Sequence, residues 1–433
     1  MTTICQVYDV KLAAQEAFHV GLRSLISEDG QILDGTVADL KLKDGDTVTG
    51  LVQPPRIFSG RWARAFAVVR SDLTVVTWGN PMACLPHHMQ LRNVKEIQAT
   101  EDAFAAVSYD GSVVTWGAPL GGRDFRKVEA DLCDVRDVVA SLKAFVALKG
   151  DGTLVAWGNP ATGGDVAAVR AQLTRVKQVT ATDGAFAALR EDGRVVTWGN
   201  QACGGDSSRV QDQLKNVKTI AATGSAFAAI TDNGSAVAWG KAECGGDMEQ
   251  KDLTNVQQIC GTRNAFAAIT QDGRIVTWGH PQCADVSLVK AELQDVQRIY
   301  ASAFAFAALR RDGRVVTWGE PSEGGDSSQV QDQLKEVREI HAAALAFAAI
   351  LENGKVVTWG HPEWGGDSES VQHKLKNVQQ VQAAQAAFAA IADGILVTWG
   401  HSFWGADSRH VQLEVASKPR RHPYEDGTRP CCD

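Results

Sequence analysis

From residue 56 to residue 415 the chain repeats one pattern of apolar and polar positions. The cleanest copy opens with Val176-Lys177-Gln178-Val179-Thr180-Ala181, where apolar side chains interleave with polar ones as in a half-buried strand. Next come Ala185-Phe186-Ala187-Ala188-Leu189, then Glu191-Asp192-Gly193, then Val195-Val196-Thr197-Trp198-Gly199. Asp-Gly between two apolar runs is a strong hairpin signal, because both residues tolerate positive φ. The pattern predicts that 185–189 and 195–198 are antiparallel neighbours joined by a tight turn. A Gly-Gly-Asp link at 204–206 follows, and a short Val-containing piece over 209–211 is predicted as a weak fourth strand at the outer edge.

The Trp that closes this pattern falls at Trp78, Trp116, Trp157, Trp198, Trp239, Trp278, Trp318, Trp359 and Trp399, which makes nine units spaced 38 to 41 residues apart. A Phe stands twelve residues before each, from Phe66 to Phe347, and eleven before the last, at Phe388. A period near 40 residues with four antiparallel strands is what one propeller blade requires. The fold class expected is all-β: a β-propeller of four-stranded repeats with seven to nine blades, and an open superhelical array as the alternative. Closure is favoured because the end strands of an open array need polar caps.

Residues 1–55 lie outside the repeat and read as a small α+β segment. Val10, Ala13, Ala17 and Val20 share one helical face, so a helix is predicted over 10–20. Strands follow at Leu25-Ile26, at Gln31-Ile32-Leu33 after an Asp29-Gly30 turn, and over 47–52. The run from Ser24 to Gln53 is similar to the C-terminal half of a ubiquitin-like domain, without that fold's first hairpin. Pro54-Pro55 reads as a stiff boundary. Residues 416–433 are Pro-rich, charged and aperiodic, and are expected to be a disordered tail.

Composition narrows the function. With 43 basic against 51 acidic residues the net charge is −8, which disfavours nucleic-acid or anionic-membrane partners. Nine scattered cysteines without CxxC pairs read as reduced thiols, placing the chain in the cytoplasm or the nucleus. No apolar run is long enough to span a membrane. No cofactor is expected, because the Gly-Gly-Asp links lack the Lys-Ser/Thr of a phosphate loop. Cys203, Cys244 and Cys283 recur on neighbouring units too far apart for disulfides, and His280, His361 and His401 are too dispersed for a metal site. Inner-strand positions such as Ala99, Ala181, Ala221, Ala342 and Ala383 are small and apolar, and no nucleophile-base set falls on them, so an enzyme is not expected.

Comparing units within the chain locates a candidate face. The Asp-Gly side is nearly constant, as in Gln213-Leu214-Lys215 against Gln333-Leu334-Lys335. The opposite side varies: its first turns carry Arg263, Phe304 and Leu345, and its links carry Cys203, Cys244, Cys283, Glu323, Trp364 and Trp404, with His361 and His401 beside the last two. Variable loops on a constant scaffold commonly carry recognition, and aromatic and Arg side chains anchor interfaces. A protein partner is therefore expected on this variable-turn face through Trp364, Trp404, Phe304, Leu345, Arg263, Glu323, His361 and His401.

The elements A-F-A-A-L and D-G-x-V-V-T-W-G with their Gly-rich link resemble the regulator of chromosome condensation repeat family. A Phe replaces the family's His in every copy, and the G-Q-L-G of the family's link becomes Gly-Gly-Asp, as at 204–206. The resemblance implies a propeller, usually of seven blades, and a role in protein binding. Expected first is a non-enzymatic adaptor or scaffold in a ubiquitin-linked pathway. The alternatives are a guanine-nucleotide exchange factor for a small GTPase, for whose protruding wedge the spacing leaves no room, and the substrate-recognition part of a HECT-type ubiquitin ligase without its catalytic domain.

Overall fold

Each repeat forms a three-stranded antiparallel sheet whose register follows from the offset between its Phe and its Trp. The computed structural model describes residues 7–18, 22–27, 31–33, 37, 40, 47–86, 88–122, 125–248, 253–409 and 411. In the fourth unit Val176–Ala181, Ala185–Arg190 and Val195–Gly199 pair so that Phe186 lies directly opposite Trp198. Their rings stack, and the same stack recurs in nine sheets at 5.1–5.5 Å between centroids. Val176 and Val179 both point into the core although they are three apart, because the pairing slips between Val176 and Gln178. Such a β-bulge resets the alternation of faces.

The Asp-Gly hairpins are of two kinds. In the fourth unit only Gly193 has positive φ (76°), and Gly193 N donates to Arg190 O at 3.0 Å. That is a tight turn closed by a left-handed glycine rather than the two-residue turn the dipeptide predicts. In the ninth unit Asp393 and Gly394 are both left-handed (47° and 76°) and join the paired residues Ala392 and Ile395. This shorter turn is why Phe388 precedes Trp399 by eleven residues.

The predicted fourth strand is not present: Ser208–Val210 forms a single 3₁₀ turn. Asp206 Oδ1 accepts Ser208 N at 2.9 Å, which curls the link, and Gln211 Nε2 reaches back to Val195 O at 3.0 Å. Gln331 and Gln372 repeat this bond to Val315 O and Val356 O. A side-chain amide thus sits along the outer edge where another strand would pair, which blunts the edge against association.

Closure is made between the sheets. The inner turns form a hoop of main-chain bonds in which Arg64 N donates to Glu101 O, Glu101 to Leu142, Leu142 to Asp183, Asp183 to Gly224, Gly224 to Arg263, Arg263 to Ala303, Ala303 to Ala344, Ala344 to Gln385, and Gln385 to Ala63, all at 2.7–3.2 Å. Ile57, Phe66 and Trp78 of the first sheet pack on Ala384, Ala387 and Ile391 of the ninth. Gln380 also brackets the main chain of Ile57, accepting from its N at 3.2 Å and donating to its O at 3.1 Å. The propeller is therefore a closed ring of nine blades. Neither the seven-bladed nor the open alternative fits these contacts.

Blades touch through cores such as Ala185, Leu189 and Val195 of the fourth against Phe227, Ala229 and Trp239 of the fifth. The alanines of the middle strand are fully buried, and their small size lets the sheets approach.

Ahead of the ring, a helix spans Val7–Phe18 and a strand Leu22–Ile26. The strand pairs antiparallel with Thr49–Val52, while 31–33 contributes only a bridge from Ile32 to Ile26. Val7, Leu22, Leu25 and Leu33 form the small core of this segment. The tail expected over 416–433 lies outside the described residues.

Candidate functional site

The variable face is built on a repeated polar clamp. In the fourth blade Thr182 Oγ1 accepts Ala185 N at 2.9 Å and donates to Cys203 O at 3.0 Å, tying the inner turn to its own Gly-rich link. Thr223 does the same with Cys244 O, and Thr100 with Gly121 O. The clamp and the hoop hold the main chain while the side chains above it change.

Two groups of the expected residues come together. Trp364 and Trp404 meet edge to face at 5.1 Å between centroids, with His361 6.2 Å from the first ring and His401 4.9 Å from the second. The Arg64 guanidinium lies 5.8 Å over Trp404 and is itself paired with Glu101 and, at 3.5 Å, with Asp102. Both indoles are half-buried, and Phe403 beside them is 55 % exposed. In the second group Arg263 pairs with Asp183 at 3.6 Å and lies 5.1 Å over the ring of Trp62. Burial pushes the Asp183 carboxyl up, and the Arg263 and Arg61 charges oppose that shift.

Glu323 stands between the groups, half-buried, its carboxyl raised by burial and by neighbouring Glu320 and pulled back by His361. Phe304 and Leu345 are half-buried on the intervening inner turns, where their carbonyls accept from Glu320 N and His361 N. No direct side-chain contact joins these two to the tryptophan pair among the described bonds and ring contacts.

Arg61 and Trp62 were not singled out by sequence reading. In the first blade Phe58–Ala65 encloses a longer inner turn than the three residues between Ala99 and Ala103 in the second. That extra length lets Arg61 reach across the ring, where its guanidinium donates to Gly261 O at 3.3 Å and to Ser302 O. The two residues roof one mouth of the central channel, over a cavity of about 440 Å³ that Glu96, Gln98, Asp137 and Asp183 also line. The channel is therefore not walled only by the small residues expected there: Ala99 and Ala181 alternate with these polar side chains. The Asp137 carboxyl is raised by burial and by Glu96. The signal available in the sequence was Gly60-Arg61-Trp62, a length departure in one repeat. Among the described residues no group of three or more His, Cys, Asp or Glu could hold a metal ion, and no helix is long and apolar enough to cross a membrane.

Comparison with known proteins gives a family for the unit. Residues 176–204, the fourth blade and its link, match the model of the regulator of chromosome condensation (RCC1) repeat. No curated protein matches the chain. Among solved structures it is similar to Prp20p from Saccharomyces cerevisiae, described with binding to Gsp1p and histones, at 18 % identity over 67 % of this chain and 91 % of that one, with a TM-score of 0.40. Human WBSCR16 matches at 16 % identity over 71 % and 89 %, with a TM-score of 0.39. The ectodomain of the Physcomitrella patens receptor kinase CR4 matches at 14 % over 62 % and 74 %, also at 0.39. At such scores the architecture rests on the chain's own sheets and hoop. The matched unit's strands and Phe–Trp stack recur around the whole ring, so the propeller repeats nine times a unit whose fourth copy, residues 176–204, matches the regulator of chromosome condensation repeat.

Proposed function

We propose that this chain is a non-enzymatic binding propeller, an adaptor or scaffold that takes a protein partner on its variable-turn face. The observation that carries the reading is the Trp364–Trp404 pair, half-buried and flanked by His361, His401 and Arg64 on the one side of the ring where the repeats diverge. Large aromatic side chains beside an Arg are the common anchors of protein interfaces. Phe304, Leu345, Glu323 and Arg263 extend the same face around the ring and would meet the partner's rim. A ubiquitin-linked role rests on the antiparallel pairing of Leu22–Ile26 with Thr49–Val52 after a helix, as in the second half of a ubiquitin-like domain.

The test is affinity capture from lysate with the intact chain and a Trp364→Ala/Trp404→Ala variant of unchanged melting temperature. A captured protein is then measured against each single variant, with at least a ~30-fold loss expected, the size of a hot-spot residue near 2 kcal/mol. Equal affinity for all forms would remove the face from the function. Accelerated nucleotide release from a small GTPase by the intact chain would favour the exchange-factor reading instead.

A further inference from the structure

Within the ring, most blades anchor the next through one hydrogen bond. Trp198 Nε1 donates to Gly163 O, Trp239 to Gly204, Trp278 to Gly245, Trp359 to Gly324, Trp399 to Gly365 and Trp78 to Gly405, at 2.9–3.1 Å. The accepting carbonyl belongs to the left-handed glycine that ends the preceding blade's link. The sixth blade breaks the pattern. Its link reads Cys283-Ala284-Asp285 in place of Cys-Gly-Gly-Asp, closes as a short α-turn over Pro281–Ala284, and turns Ala284 O back to Thr277 Oγ1 of its own blade.

Trp318 of the seventh blade is left 3 % exposed with its Nε1 unpartnered. Trp116 and Trp157 share that condition, but Trp318 lines an open groove of about 860 Å³ between the sixth and seventh blades. A buried donor without an acceptor is costly, and a ligand that supplies one recovers that cost. Leu288, 96 % exposed, and Pro321 make the groove's apolar wall. Asp285, Glu292 and Asp326 line it with no Lys, Arg or His among the lining residues. Hydrogen bonds from Ser287 and Ser328 hold the Asp285 and Asp326 carboxyls below the usual carboxylate range, so both are charged at neutral pH.

We propose that the groove between the sixth and seventh blades is a docking site for an extended basic peptide segment of a partner protein. A peptide carbonyl accepts from Trp318 Nε1, an apolar side chain packs on Leu288 and Pro321, and Lys or Arg side chains meet Asp285, Glu292 and Asp326. The segment lies along Val315–Gly319, the outer strand of its sheet, and is held by side chains rather than by strand pairing, because Gln331 Nε2 already bonds Val315 O. Two sibling grooves serve as internal controls. At about 910 Å³ and 650 Å³ they are of similar size, but Trp359 and Trp239 there are already bonded, and His361 and Arg209 sit among their acids. The site adjoins the variable-turn face, with which it shares the turn Pro321–Glu323, and uses neither Trp364 nor Trp404.

The test uses the full chain with ¹⁵N-labelled tryptophan, its Trp318 indole signal assigned with Trp318→Phe. The probes are the blocked pentapeptide Lys-Leu-Lys-Val-Lys and its Glu-Leu-Glu-Val-Glu counterpart. The basic peptide is expected to move the Trp318 indole proton downfield and leave those of Trp359 and Trp239 in place, while the acidic peptide moves none. Asp285→Asn/Glu292→Gln/Asp326→Asn, which changes only exposed side chains, should weaken the basic peptide at least ~10-fold. The proposal is overturned by a Trp318 signal that stays fixed at saturating peptide, by equal shifts at all three indoles, or by unchanged affinity in the triple variant.

Discussion

Gly204 shows how much one residue carries in this ring. It sits at φ +90°, where a Cβ would stand 2.7 Å from the Phe227 ring of the next blade, and its carbonyl takes the bond from Trp239. Gly204→Ala adds a left-handed strain of about 1–2 kcal/mol and an overpacking cost of similar size, so the unfolding free energy should fall by about 2–4 kcal/mol in urea titration. A loss under about 0.5 kcal/mol would show that the link yields freely. This role was hidden in the sequence, since Gly-Gly-Asp reads as a loose link and its contact lies in the next repeat. The Phe–Trp stack, by contrast, was legible from a constant twelve-residue offset. Cys283 gives a pH test at the same scale. Burial pushes its thiol up to about 11, so the folded state holds the proton longer than the unfolded chain does. The stability tied to that proton is full below about pH 8.5 and is lost as pH rises toward 11. Cys283→Ala should therefore lose less melting temperature than the wild type between pH 8.5 and 11, and a parallel decline would contradict the assignment.

The middle and outer strands were legible because small apolar runs flanked by Asp-Gly leave little choice of pairing. The outer piece was misread because periodicity registers Val210 and cannot register that Gln211 satisfies the sheet edge with its side chain. Gln331→Ala removes the equivalent bond to Val315 O and should cost about 1 kcal/mol by thermal unfolding. The segment before each inner strand was likewise opaque. One residue there is left-handed in every blade from the second on, Asn in four of them, but Glu336 in the eighth at φ 56°. Asn tolerates that conformation better than Glu, so Glu336→Asn should stabilise by about 0.5–1 kcal/mol, and a lower melting temperature would show that the Glu336 side chain is holding something. On the variable face, divergence between repeats picked out Trp364 and Trp404, whereas the Arg61–Trp62 roof depends on a longer turn in a single copy and leaves no periodic trace.

At the scale of the molecule, nine units could be counted from nine tryptophans, but closure could not. Whether a ring shuts depends on the small rotation between successive blades, and the residues that join the ends, Ile57 and Gln380, are 323 positions apart. Closure matters for the proposed function because it sets Arg64 of the first blade over Trp404 of the ninth, completing the aromatic cluster across the seam. The hoop makes the seam a place where a closed ring and an open array differ sharply. Hydrogen exchange of the intact chain reads this directly, by comparing the amide of Gln385, which donates to Ala63 O at the seam, with that of Asp183, which donates to Gly224 O within the array. A closed ring has no fraying end there, so the two amides should exchange within about tenfold of one another. Exchange at Gln385 more than about a hundredfold faster, with Asp183 still protected, would mean that the nine blades stand as an open array and that the proposed binding face does not extend across the seam.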